Sequence, residues 1–123
     1  MGVGLDVVEV SRARELLDRK GDQVLDRVLT GEEKGYVASV ADPAQALAAR
    51  LAAKEAVYKA LQSFPDARGV GWRDIGVHRR DDGRPEAQLS GRAAELVATH
   101  RVSIHLSLSH SRDVAAAVAI IER

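Results

Sequence analysis

Residues 102–121, VSIHLSLSHSRDVAAAVAII, constrain the fold more than any other stretch of the chain. Val102, Ile104, Leu106 and Leu108 alternate with Ser103, His105, Ser107 and Ser109. That period predicts a strand with one apolar face and one face of small polar groups. Residues 110–113 turn the chain. Residues 114–121 are almost continuously apolar, as expected of a central strand covered on both sides. At the other end, residues 2–10, GVGLDVVEV, alternate well enough for a further strand, with Val3, Leu5 and Val7 facing one way and Asp6 and Val8 the other. Asp6 is out of place there, because aspartate is depleted in strands.

Between these ends the signals are mostly helical. Ser11 is positioned to cap a helix over residues 11–19, with Leu16 and Leu17 inward and Gly21 as its stop. A short helix is expected at residues 23–29. Thr30 and Glu33 have capping-box spacing. Asp42, Pro43 and Gln45 give a second start signal, with Pro43 at the first helical position and Gln45 able to close the box. The long helix begun there runs to about Gln62. Pro65, Gly69 and Gly71 make residues 63–71 a loop. Residues 72–78 and 86–89 read as strands joined by a turn at Asp81, Asp82 and Gly83, and residues 91–100 as a helix. Helices and antiparallel strands in separate runs indicate an α+β fold, mainly an antiparallel sheet packed with helices around one long central helix. The length of 123 residues suits a single domain spanning 1–123.

Composition narrows the function. Eighteen basic and eighteen acidic side chains cancel, which speaks against a non-specific nucleic-acid binder. Aromatic residues are only 3%, so no platform for stacking bases is evident. No cysteine is present, which rules out disulfides, thiolate metal sites and cysteine nucleophiles. No apolar run reaches the length of a membrane span, and the chain opens on a strand pattern instead of a signal peptide. A cytoplasmic protein without nucleic-acid or membrane partners is expected.

The long helix contains ARLAAKEAVYKAL at residues 49–61, where small apolar residues are interrupted by Arg50, Lys54, Glu55 and Lys59. Such a helix can pack tightly on one side and do chemistry on another. Glu55 and Lys59, four apart, share a face. Arg50 lies five residues before Glu55 and about 7 Å along the axis, so one helix could span two ends of a ligand. Asp6 and Glu55, from distant segments, could meet at Mg²⁺, which takes few protein carboxylates and completes its shell with water and phosphate oxygens. An acid that binds metal beside a cation that binds phosphate suits transfer of a phosphate-bearing group. Taken singly, Glu55 and Lys59 also fit a surface ion pair, Asp6 a turn contact, His110 a turn residue, and Gly69 and Gly71 a plain turn.

The motifs taken together are more specific. GVGLDVVEVSR at the start, RVLTGEE at 27–33, RLAAKEAVYKAL at 50–61, WRDIGV at 72–77, GRP at 83–85 and LSLSHSRDVAAAVAIIE at 106–122 resemble the holo-acyl-carrier-protein synthases, the small 4′-phosphopantetheinyl transferases of bacteria. The resemblance covers nearly the whole chain. It implies Mg²⁺-dependent transfer of the phosphopantetheine arm of coenzyme A to a serine of an apo acyl carrier protein, with release of 3′,5′-ADP, in fatty-acid biosynthesis. The nucleophile would come from the carrier, which explains why none is needed here. By the same resemblance Asp6 and Glu55 hold the metal, and Glu55 and Lys59 are catalytic. Arg50, Lys59 and His110 contact coenzyme A, and the loop with Gly69 and Gly71 belongs to the nucleotide pocket. Arg12 docks the carrier. The serine proton passes to Glu55 or to a water at the cation. A homotrimer with sites at subunit interfaces is also implied. One departure is Gly76, where the family often has an acid. A metal-dependent phosphohydrolase and a non-catalytic assembly module are the alternatives, and neither would modify a carrier.

Overall fold

The computed structural model describes residues 1–123, apart from the side chains of Lys20 and Val24. The elements in chain order are β1 (Gly2–Glu9), α1 (Val10–Lys20), α2 (Asp22–Val28), α3 (Gly31–Ser39), α4 (Pro43–Leu61), a 3₁₀ turn (Trp72–Asp74), β2 (Ile75–Arg79), β3 (Pro85–Leu89), α5 (Gly91–His100), β4 (Ser103–His110) and β5 (Val114–Glu122). This is the expected α+β arrangement. Three strands form an antiparallel sheet in the order β1-β5-β4, and β2 and β3 form a separate hairpin. No helix among the described residues is long and apolar enough to cross a membrane.

Several local signals act as expected. The Thr30 hydroxyl accepts from the Glu33 N–H at 3.2 Å, and the Glu33 carboxylate accepts from the Thr30 N–H at 2.9 Å, which closes the box at the start of α3. Asp42 accepts from the Gln45 N–H at 3.2 Å and Pro43 opens α4. Others act differently. The Gln45 side chain leaves the helix end and donates to the Ser111 carbonyl at 3.0 Å, tying α4 to the β4–β5 turn. Ser11 is no cap, because β1 passes directly into α1 at Val10 and Ser11 donates to Glu9 at 3.5 Å. The segment expected as a strand from residue 72 begins with the 3₁₀ turn, closed by the Asp74 N–H to the Gly71 carbonyl.

α4 lies against the inner face of the three-stranded sheet and is buried around most of its circumference. Ala44, Ala48, Ala49, Ala52, Ala53, Ala56 and Ala60 are all buried, with Leu47, Val57 and Leu61 between them. Small side chains let backbones approach. The extreme case is Gly4 on β1: a Cβ built there would lie 1.9 Å from the Ala56 carbonyl oxygen and 2.8 Å from the Ala60 nitrogen. The even residues Gly2, Gly4, Asp6 and Val8 therefore face α4, and Ala115, Ala117, Ala119 and Ile121 of β5 complete the inner face.

The outer face departs from expectation. β5 is central, but within the chain it is covered on one side only. Val3, Leu5 and Val7 of β1 and Val114 and Ile120 of β5 are between 38 and 66% exposed. The register pairs Val3 with Ile120 and Leu5 with Val118, so these side chains form one apolar band. The continuous apolar run of β5 is thus two faces of different fate, one buried by α4 and one open.

The close contact of β1 with α4 is testable. Gly4→Ala is expected to cost about 3 kcal/mol of stability, because the methyl must displace backbone. Gly31→Ala, at a site with nothing within 4 Å of a Cβ, is expected to change stability by no more than about 1 kcal/mol. Urea midpoints measure both, and equal effects would refute the contact.

Candidate active site

The charged residues of α4 divide by direction. Lys54 points inward and is fully buried. Its ammonium pairs with the Glu33 carboxylate at 2.7 Å, donates to the Trp72 carbonyl at 3.2 Å, and donates to the Ile75 carbonyl. Burial pushes the Lys54 ammonium below its ordinary pKa, against the opposing pull of Glu33. The other oxygen of Glu33 accepts from the Val77 N–H at 3.0 Å. One buried ion pair thus joins α3, α4 and the segment entering β2, and its polar atoms are matched as a low-dielectric site requires.

Glu55 and Lys59 emerge on a different face of the helix. The Lys59 ammonium lies 3.1 Å from both Asp6 Oδ1 and the Leu5 carbonyl, so it bridges α4 to β1. The Asp6 side chain is 18% exposed and Lys59 49%. This explains the aspartate in a strand: it faces α4 at the sheet edge, with a cation within reach. Glu55 lies one turn before Lys59 on the same helix face. Its half-buried side chain forms no hydrogen bond or ion pair among the described residues. It opens into a cavity of about 280 Å³ with Tyr58, Val70, Gly71, Trp72 and Ile75. No three His, Cys, Asp or Glu side chains converge among the described residues. Asp6 does not line this cavity; it and Glu55 could supply two carboxylates to an ion that keeps water and phosphate oxygens in its shell.

Arg50 lies elsewhere. Five residues along a helix turn it about 140° from Glu55, and it lines a second cavity of about 390 Å³ with His110, His78, Arg79, Tyr36 and Gln45. Its guanidinium sits over the Tyr36 ring, 4.2 Å from the centroid. Burial lowers its pKa from the ordinary value. Its Nε is buried with no hydrogen-bond partner among the described residues, and a buried donor left unmatched is uncommon in folded proteins. Arg50 and Glu55 are thus displaced both along the helix axis and around it, and within one chain they line different cavities. His110 lines the same cavity as Arg50.

Of the two glycines, Gly71 lines the Glu55 cavity, while Gly69 takes the left-handed conformation (φ 78°) just before it. Arg12 is exposed on α1 and has no ion pair among the described residues. Gly76 is buried in β2, where a Cβ would meet the Gln88 carbonyl at 3.1 Å, so a larger side chain would have to displace the hairpin backbone. Sequence reasoning missed Tyr58 and Trp72 at the Glu55 cavity and Tyr36 and Arg79 at the Arg50 cavity. The only available signal was scarcity: Trp72 is the sole tryptophan in a chain with few aromatics.

Residues 2–119 match the model of a family described as the 4′-phosphopantetheinyl transferase superfamily. A holo-[acyl-carrier-protein] synthase of Myxococcus xanthus is 40% identical over 122 residues, covering 98% of this chain and 94% of that relative. Among solved structures, the holo-[acyl-carrier-protein] synthase of Neisseria meningitidis superposes with a TM-score of 0.88 at 31% identity, covering 99% of this chain and 98% of the other. That of Helicobacter pylori, in complex with coenzyme A, superposes with a TM-score of 0.82 at 26% identity over 98% and 99% of the two chains.

The buried pair gives a stability prediction. Lys54→Met leaves Glu33 uncompensated and is expected to cost about 3–5 kcal/mol. Adding Glu33→Gln should recover part of that loss. Chemical unfolding of both variants checks it, and a single-variant loss below about 1 kcal/mol would show the pair to be incidental.

Proposed function

The chain belongs to the 4′-phosphopantetheinyl transferase superfamily, and from that membership we infer that it is an enzyme of the holo-[acyl-carrier-protein] synthase kind. It moves the 4′-phosphopantetheine group of coenzyme A to a serine of an apo acyl carrier protein and releases 3′,5′-ADP. The serine oxygen forms a bond to the β-phosphorus, and the bond from that phosphorus to the bridging oxygen of the nucleotide breaks.

The observation that carries the chemical assignment is the unpaired Glu55 carboxylate, open to a cavity one helical turn from the Lys59–Asp6 pair. Asp6 and Glu55 would hold Mg²⁺. When bound, the ion supplies charge neutralisation at the pyrophosphate. Lys59 binds phosphate oxygens and offsets the charge of the departing nucleotide. Its half-exposed ammonium at the edge of the site supports that role. The serine proton would pass to Glu55 or to a water beside it. Arg50 and His110 bind the nucleotide end, a reading supported by the orphaned Arg50 Nε and by the excess of cationic side chains in their cavity. Gly71 bounds the site, and Gly69 sets the path of the loop that carries it.

The active unit is a homotrimer with sites at subunit interfaces. Two features support this. The apolar band on the outer face of β1 and β5 is open to solvent within one chain and offers a surface that another copy would cover. The proposed phosphate and nucleotide groups occupy separate cavities of one chain, so a site built from two copies would reunite them. Arg12, exposed and unpaired among the described residues, docks the acidic carrier by electrostatic attraction.

Intact mass spectrometry of an apo carrier incubated with the protein, coenzyme A and Mg²⁺ tests the reaction. A gain of one phosphopantetheine mass is expected. Glu55→Gln should abolish that gain and weaken Mg²⁺ binding by calorimetry while leaving the fold intact. Near-normal transfer by that variant would remove Glu55 from the mechanism. In the same assay Arg12→Glu should raise the carrier KM far more than the coenzyme A KM, and equal rises would count against docking. Sedimentation should give a trimer for the parent chain and a smaller species for Leu5→Glu; an unaltered trimer in that variant would place the interface elsewhere.

A further inference from the structure

The wall of the Glu55 cavity comes from a segment with little regular structure. Val70, Gly71 and Trp72 line the cavity, yet residues 62–71 belong to no helix or strand. Within the segment, backbone bonds from Ala67 to the Phe64 carbonyl and from Arg68 to the Asp66 carbonyl make only local turns. Its attachment comes from α5, which contributes nothing to the cavities described above.

Arg92 makes the main attachment. Its Nη2 donates to the Asp66 carbonyl at 2.6 Å, and its Nε donates to the Arg68 carbonyl at 2.9 Å. Its remaining nitrogen meets Glu95 at 3.3 Å. A planar guanidinium bridging two carbonyls that flank one residue fixes both position and direction of the chain. The next residue is Gly69, in its left-handed conformation, and then the cavity wall begins. Two turns along α5, His100 Nε2 lies 2.8 Å from Asp66 Oδ1, and the His100 ring stacks on Phe64 at 3.9 Å between centroids. At the far end of the wall, the Ser90 N–H donates to the Asp74 carbonyl at 2.9 Å, while an Asp74 carboxylate oxygen accepts from the Gly71 N–H at 3.1 Å. Helix α5 therefore holds the near end of the wall, and Ser90, the residue that leads from β3 into α5, holds the far end.

We propose that Arg92 is a positioning residue for coenzyme A: by bridging the Asp66 and Arg68 carbonyls it holds the Val70–Gly71–Trp72 wall against the Glu55 cavity. The role rests on the transferase reading of that cavity. Arg92 touches neither the substrate nor the reacting atoms. Its loss acts by letting the wall spread over many positions, which the substrate must then order on binding.

The test is steady-state transfer with coenzyme A and apo carrier varied separately, using Arg92→Met and Arg92→Lys. Arg92→Met should raise the coenzyme A KM about five- to tenfold, with kcat and the carrier KM changed less than about twofold. Arg92→Lys, able to reach one carbonyl at a time, should fall between Arg92→Met and the parent. A merely structural role predicts something else: a loss of kcat in proportion to the lost folded fraction, with the coenzyme A KM unchanged. That result, or no change at all, overturns the proposal. If Arg92→Met does not fold, Arg92→Lys decides by the same split, a coenzyme A KM within about 1.5-fold of the parent being the overturning result. Failure of the parent chain to modify the carrier would sink the transferase reading instead, so the two failures are distinguishable.

Discussion

The fold depends on how close β1 can come to α4. With glycine at position 4 and alanine at 56 and 60, strand and helix approach until backbone meets backbone. Packing at this distance leaves no slack, because protein interiors are close-packed and neighbours cannot yield cheaply. It fixes the height of β1 along the helix. From that height follows the meeting of Asp6 with Lys59, which no local sequence preference would produce. A larger side chain at position 4 would lift the strand and carry Asp6 away from the helix face that bears Glu55.

The second constraint is rotational. Lys54 and Glu55 are adjacent in sequence, yet one is sealed in the core and the other opens to a cavity. About 100° per residue separates them around the helix. The buried Lys54–Glu33 pair holds that rotation, since turning α4 would withdraw the ammonium from its carboxylate and two carbonyls. Leaving either charge uncompensated in the core is costly. Lys54 thereby aims Glu55, the carboxylate proposed to hold the metal. The same rotation sends Arg50 to the cavity of His110 and Tyr36, away from Glu55. The proposed homotrimer would bring the two kinds of cavity together and cover the apolar sheet face that one chain leaves open.

Local sequence rules succeeded where a single interaction decides. The Thr30–Glu33 box, the Asp42 cap with Pro43 and the stop at Gly21 need only neighbours within a turn. They failed where a distant partner takes the group or where one element runs straight into the next. Gln45 abandons its own helix end for Ser111, 66 residues away. Ser11 loses its capping role because β1 runs directly into α1, leaving no free residue before the helix.

By itself the sequence determined the α+β class, the elements and most of their limits, and it supplied candidate residues for binding a cation and a diphosphate. These follow from periodicity, turn chemistry and the order of motifs along the chain. It did not determine which face of β5 is covered, where Arg50 points, or that Tyr58, Trp72 and Tyr36 line the cavities. Only tertiary structure decided these, because each depends on the relative height and rotation of elements far apart in the chain. Those two quantities are set by the Gly4–Ala56 contact and the Lys54–Glu33 pair, whose partners stand 52 and 21 positions apart along the chain.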